Sequence, residues 1–213
     1  VRLFAIAQAA EISADDILGH DLFLYNREQA SIWGASEEFV SAPQLDDLQC
    51  AFSSMKGFLS SEKNNYLALH CVFDNEEVGS GTKQGAASTF LRDTLQRIHE
   101  VLGYDREDYR IHLANSLMLS ADNAHAVHPH HPQNTDATNC VYMNEGIVVK
   151  SHAGQKYTSD AVSIAVFKDL CKKANVPVQF FANRSDEAGG STLGNIAMAQ
   201  ASMNAVDIGL PQL

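Results

Sequence analysis

The sequence predicts an α/β fold, a three-layer sandwich with a mixed, largely parallel central sheet. Two observations carry that prediction. Short apolar runs rich in β-branched and aromatic residues alternate along the chain with segments whose apolar residues recur every three or four positions. Acidic groups gather where those runs stop, and open α/β sheets collect their ligands beyond the strand ends. At 213 residues, 45% hydrophobic and 19% charged, the chain is long enough for one domain with a sizeable core. It also lacks the sparse hydrophobicity and dense charge of disordered chains.

In the opening run VRLFAIAQAAEI, Leu3, Ile6, Ala10 and Ile12 keep helical spacing, and Ser13 with Asp16 offers a capping-box start for a short second helix. HDLFLYN (20–26) and ASIWGA (30–35) are rich in β-formers and separated by a few polar residues, which predicts a hairpin or neighbouring strands. Leu45, Leu48, Phe52, Met55 and Leu59 put one apolar face on a helix whose first turn holds Asp46 and Asp47. YLALHCVF (66–73) is apolar almost throughout, as a strand buried on both faces should be, and it stops at Asp74, Asn75, Glu76 and Glu77.

Beyond the glycine-punctuated GSGTKQGA, Phe90, Leu91, Leu95, Ile98 and Leu102 mark a helix, and SLMLSA (116–121) reads as a strand ending at Asp122. Segment 123–145 is polar and rich in His and Asn. It far exceeds the about 4–6 residues of an ordinary connection, and long loops tend to be functional. GIVVKS (146–151) and PVQFFA (177–182) are strand-like and flank a helix, capped by Ser159, that carries Val162, Ala165, Val166 and Leu170. A Gly-Gly-Ser-Thr turn then leads into a helix over 192–203, and AVDIGL closes the alternation.

With 26 acidic against 15 basic residues the formal charge is −11. That charge repels phosphate backbones and argues against nucleic-acid binding. Cys50, Cys71, Cys140 and Cys171 form neither a CxxC pair nor a zinc-finger spacing. They read as reduced, mostly buried thiols and point to a cytoplasmic setting. No apolar stretch comes near the about 20 residues a membrane span requires, which argues against a membrane partner. Val1 opens directly into an amphipathic run and Leu213 follows a strand-like segment, so both ends resemble cuts within a longer fold.

The acids that terminate strands are the first site candidates: Asp74 to Glu77 and Asp122. Glu76 and Glu77 are adjacent, so their side chains diverge; one can hold a cation while the other faces a water on it. Such a pair also suits plain surface charge. Asp46 and Asp47 equally suit the helix dipole, and His125, His128, His130 and His131 equally suit a solvated loop. On the residues alone, a carboxylate-rich metal hydrolase is one reading among several.

Six segments taken together sharpen it. QLDDL (44–48), VFDNEEVGS (72–80), SADNAHAVHP (120–129), GIVVKSHAGQKY (146–157), GGSTLG (189–194) and VDIGLPQL (206–213) follow the order and approximate spacing of the M18, or aspartyl aminopeptidase, family, which this chain resembles. The resemblance implies a dinuclear metal aminopeptidase with two zinc ions, for which Mn or Co can substitute. By the same resemblance Asp46 bridges the metals, Glu77 and Asp122 are terminal ligands, and Glu76 is the general base. His125, Lys150 and Tyr157 resemble residues lining the substrate pocket. Lys150 there would neutralise an acidic side chain on a peptide substrate.

Gln44, Asp47 and Asn123 depart from residues common at those positions in the family, and none of these departures removes a ligand. The resemblance further implies two histidine ligands outside this chain and a dimerisation domain essentially absent, with residues 1–18 at its boundary. Residues 1–213 then form a catalytic-domain fragment, weakly active or inactive by itself, of a homo-oligomer. Alternatives are a broad-specificity, leucyl-type aminopeptidase or other co-catalytic metal hydrolase, and a non-catalytic assembly or cargo-binding module on the same fold.

Overall fold

The structure, a computed structural model, describes residues 2–62 and 65–213. Val1, at the head of the opening apolar run, lies outside the described residues. The chain divides into two compact units, Val1–Pro43 and Gln44–Leu213. In the first, α1 (Arg2–Ala10) takes the expected helical run. The Ser13 hydroxyl accepts from the Asp15 N–H and caps a single 3-10 turn, Ala14–Asp16. The hairpin of this unit differs from the expected one. Residues 20–26 have no regular structure and leave Phe23, Leu24 and Tyr25 exposed, whereas β1 (Ser31–Trp33) pairs antiparallel with β2 (Phe39–Ser41). Gly34 supplies the reason: at φ +104° it reverses the chain, so the nearest partner for 31–33 is the segment just beyond the turn. Trp33 stacks on Phe39 with ring centroids 4.6 Å apart and donates its indole N–H to Ser41 Oγ.

The second unit opens with α2 (Leu45–Ser60) and continues through α3 (Phe90–Val101), α4 (Arg106–Ala114), β3 (Leu117–Ala121) and β4 (Ala124–His125). It closes with β5 (Ile147–Ser151), α5 (Ala161–Lys173), β6 (Val178–Ala182), α6 (Leu193–Met198), β7 (Asn204–Gly209) and β8 (Pro211–Gln212). Its main sheet runs β3-β7-β5-β6. The outer pairings, β3 with β7 and β5 with β6, are parallel and the central one, β5 with β7, is antiparallel. The sheet is therefore mixed and mostly parallel, as expected. Val149, Val206 and Ile208 pack against Phe167 and Cys171 of α5 on one face. Alternation along the strand sends Asp207, between Val206 and Ile208, to the other face. There Gly194 of α6 sits so close that a Cβ would fall 2.6 Å from Ser120 Oγ and 2.9 Å from Asp207 Oδ1.

Three expectations for this unit are revised, and one helix had not been expected. Residues 67–73 form no strand, and Leu67, Leu69 and Val72 stay exposed. An apolar run becomes a strand only beside a neighbour that takes its N–H and C=O groups, and the described residues offer none here. Helix α5 is capped by Asp160, which accepts from the Ser163 N–H in a capping box; Ser159 instead accepts from the Asp207 N–H. The last helix keeps six residues, not 192–203. Helix α4 was not anticipated because REDYRIHLA carries a weak apolar stripe. Its legible signal was the box in which Asp105 accepts from Asp108 N and Asp108 accepts from Asp105 N.

Candidate metal centre and substrate cavity

Asp46 and Asp47 stand at the head of α2, but their backbones are not helical, and the peptide between them is cis. Asp122 follows directly on β3. The three side chains converge so that one oxygen from each lies within 4.8 Å of the others. Asn123 holds this arrangement together. Its amide nitrogen donates to the Leu45 carbonyl (2.9 Å) at the start of α2 and to Gln212 Oε1 (2.8 Å), with Gln49 Oε1 at 3.2 Å, while its oxygen accepts from the Cys50 thiol (3.0 Å). One buried residue beside Asp122 thus pins the helix that carries Asp46.

Glu76 and Glu77 sit on a tight turn rather than at a strand end. Gly79 N–H donates to the Glu76 carbonyl, Ser80 N–H to the Asn75 carbonyl, and Asn75 and Ser80 both take positive φ. Gly85 is required beneath that turn, since a Cβ there would lie 2.2 Å from the Ser80 carbonyl oxygen. The turn delivers both glutamates to a cavity of about 350 Å³ that Asp46 and Asp122 also line.

The substrate-side candidates open onto the same cavity. His125 lies on β4, its ring 6.5 Å from that of Phe181. Lys150 of β5 is 3% exposed; its ammonium donates to the Asn123 carbonyl at 2.9 Å, reaches Asp122 Oδ2 at 3.4 Å, and lies 5.4 Å from the Tyr157 ring centroid. Tyr157 is buried. By contrast His128, His130 and His131 cluster with one another on the 123–145 loop and are not among the cavity's lining residues.

The acids crowd one another where water is partly excluded. Burial pushes Asp46 up to about 7, reinforced by a hydrogen bond to Asp122 and by the charges of Asp122 and Glu77, with Lys150 opposing. Asp47 is likewise pushed up to about 7, by burial first and then by Asp122 and Asp46. Burial, then Asp122 and Glu77, raises Glu76. Desolvated carboxylates of like charge favour the neutral form unless a cation joins them. Asp47 Oδ1 is moreover buried with no hydrogen-bond partner among the described residues. A convergent all-oxygen donor set with an unsatisfied carboxylate oxygen fits a divalent cation, and carboxylates are among the ligands that zinc accepts.

Sequence reasoning gave no site role to Phe181 or Thr192, which also line the cavity, and gave Asn123 no structural part. Asn123 was visible only as an unusual residue after Asp122, because its partners lie 73 to 89 positions away.

Comparison with known proteins gives a consistent answer. The family model described as "Aminopeptidase I zinc metalloprotease (M18)" matches residues 2–213. A "Probable M18 family aminopeptidase 2" of Clostridium novyi is 47% identical over 211 residues, covering 99% of this chain and 49% of that protein. "Aspartyl aminopeptidase 1" of Schizosaccharomyces pombe is 38% identical over 216 residues, covering 98% and 46%. The solved mApe1 dodecamer of S. cerevisiae superposes with a TM-score of 0.80 at 26% identity, covering 100% of this chain and 48% of that one. The chain therefore spans about half the length of the curated relatives it matches, and it belongs to the M18 family of zinc metalloproteases.

Proposed function

We propose that this chain supplies the greater part of the active site of a dinuclear zinc aminopeptidase that removes N-terminal residues, preferentially acidic ones, from peptides. The observation that carries this reading is the gathering of Asp46, Glu76, Glu77 and Asp122 with His125, Lys150 and Tyr157 around one cavity. Asp46 would bridge the two metals, with Glu77 and Asp122 as terminal ligands; two histidines outside the chain would complete the set. When bound, zinc supplies Lewis acidity to the attacking water and the scissile carbonyl.

Glu76 accepts the proton of the attacking water and returns it to the leaving amine, completing amide hydrolysis. Its raised proton affinity, from burial and neighbouring carboxylates, suits a base that must hold a proton and then release it. Lys150 brings the cation that an acidic substrate side chain needs, and Tyr157 and His125 border the same space. The relative solved as a dodecamer supports a homo-oligomer. Four free thiols support a reducing, cytoplasmic compartment.

One observation favours a second reading, a neutral, leucyl-type preference: the Lys150 ammonium already donates to the Asn123 carbonyl and pairs with Asp122. The test compares zinc stoichiometry and hydrolysis of aspartyl and leucyl peptides on this chain and on a version extended at both ends. The expected result is two zinc ions and faster aspartyl cleavage in the extended protein, with weak or no activity in the chain alone. Faster leucyl cleavage would reverse the specificity proposal, and metal binding without any cleavage would replace the enzyme with an assembly role.

A further inference from the structure

Asp207 lies on β7, in the middle of the sheet, and is 0% exposed. Taking a carboxylate out of water is costly unless it is paired or fully hydrogen-bonded. None of the described ion pairs includes it. Its oxygens are divided between two loops. Oδ1 accepts from the Thr192 hydroxyl at 2.8 Å, and Oδ2 accepts from the Thr158 N–H at 2.5 Å. Its own N–H donates to Ser159 Oγ at 2.9 Å. These two loops are the ones that present Tyr157 and the Gly190–Thr192 turn to the cavity. They are tied to each other as well, for Lys156 Nζ donates to the Gly189 carbonyl at 2.6 Å.

We infer that Asp207 is a positioning residue: from the rigid centre of the sheet it holds Tyr157 and the Gly190–Thr192 turn as the fixed substrate-side wall of the cavity. The inference rests on the peptidase reading of that cavity. A buried acid in a central strand is a poor stabiliser beside an apolar residue of like size, so its contribution lies in what its two oxygens fix. Gly194 belongs to the same arrangement. Lacking a Cβ, it lets α6 approach Asp207 closely enough for Thr192, two residues earlier, to reach Oδ1. Asp207 touches no reacting atom. It acts through walls whose order sets how much of the binding interaction is realised when a peptide enters.

The test uses the full-length protein with Asp207→Ala, Asp207→Asn, Thr192→Val and Thr192→Ser. Thr192→Val keeps the side-chain shape and removes one anchor, so it remains readable if Asp207→Ala fails to fold. Asp207→Asn can restore both contacts, its oxygen accepting from Thr158 N–H and its amide donating to a reoriented Thr192 hydroxyl. KM for a short peptide should rise about tenfold or more in Thr192→Val and Asp207→Ala, with kcat within about threefold and zinc content unchanged. Asp207→Asn should bring KM back towards the parent value, and Thr192→Ser, which keeps the hydroxyl, should raise KM less than Thr192→Val does. A lowered Tm with an unchanged KM would overturn the inference and leave Asp207 a purely structural group.

Calorimetric binding of L-aspartate and L-leucine separates this inference from the peptidase reading. A parent protein that binds either amino acid but cleaves nothing removes the peptidase. The four variants then report positioning through affinity, with the same tenfold loss expected in Thr192→Val and no loss overturning it. A parent that neither binds nor cleaves removes both.

Discussion

Asp46, Asp47 and Asp122 bring three carboxyl groups together in partly excluded water, and the roles proposed around them can be separated one residue at a time. Glu76→Gln keeps shape and removes the basic oxygen; in the full-length protein it should lower kcat by about 10²–10⁴-fold while zinc content stays at the parent value. Loss of zinc in that variant would move Glu76 into the ligand set. Asn123→Ala tests a different function. It leaves the Leu45 carbonyl and the Gln212 amide oxygen without their donor, so urea denaturation should show a loss of about 1–3 kcal/mol. An unchanged midpoint would mean that the head of α2 does not depend on Asn123.

Asp46, Glu76, Glu77 and Asp122, which line one cavity, could be singled out as candidates in the sequence because their motifs are local. Asn123 and Asp207 were not readable as organising residues. Their partners, Gln212 and Leu45 for the one and Thr158 and Thr192 for the other, are brought to them only by folding.

Elements behave according to whether their determinants are local. Helix α5 has an apolar stripe and a complete capping box, with Asp160 Oδ1 accepting from Ser163 N–H at 2.8 Å and Ser163 Oγ accepting from Asp160 N–H at 3.0 Å. Asp160→Ala should cost about 1 kcal/mol, read as a lower denaturation midpoint, and Asp160→Asn much less. An alanine variant as stable as the parent would show that tertiary packing alone sets the helix start.

Asp136 organises the long loop in the same local way. Its Oδ1 accepts from the side chains of Thr138 and Asn139 and from both their N–H groups, and these bonds lower its carboxyl to about 2, the Thr138 hydroxyl contributing most. A folded-state value below the unfolded 3.8 means that the stabilisation is complete above 3.8 and disappears as the pH falls through 2. An NMR titration of the Asp136 carboxyl should show its midpoint near 2; a midpoint of 3.8 would show that the loop does not hold these bonds in solution. Segments 20–26 and 67–73 lack such local determinants. Their composition favours strands, but a strand is completed by a neighbour, and β-formers alone do not provide one.

On the scale of the whole molecule, apolar surface remains exposed on several elements. Leu48, Phe52 and Leu59 of α2 are more than half exposed, Leu67 and Val72 add to that surface, and Leu119 on the sheet-edge strand β3 is 46% exposed. Exposed apolar groups beside an unpaired sheet edge promote association. Light scattering on this chain alone should therefore show concentration-dependent self-association. A monodisperse monomer across the micromolar range would contradict this expectation. No helix among the described residues is long and apolar enough to cross a membrane.

What the sequence determined by itself was the alternation of elements, hence the α/β class, and the motif residues that carry family membership. Periodicity and short motifs are local properties of a chain, and no folding is needed to read them. Tertiary structure alone decided that β5 runs against β7, that segment 67–73 forms no strand, and that Asp207 ties two loops together. Strand direction, ladder pairing and the hydrogen bonding of a buried carboxylate all depend on which distant residues arrive beside it. That is fixed by packing the whole unit, through contacts that no window of sequence contains.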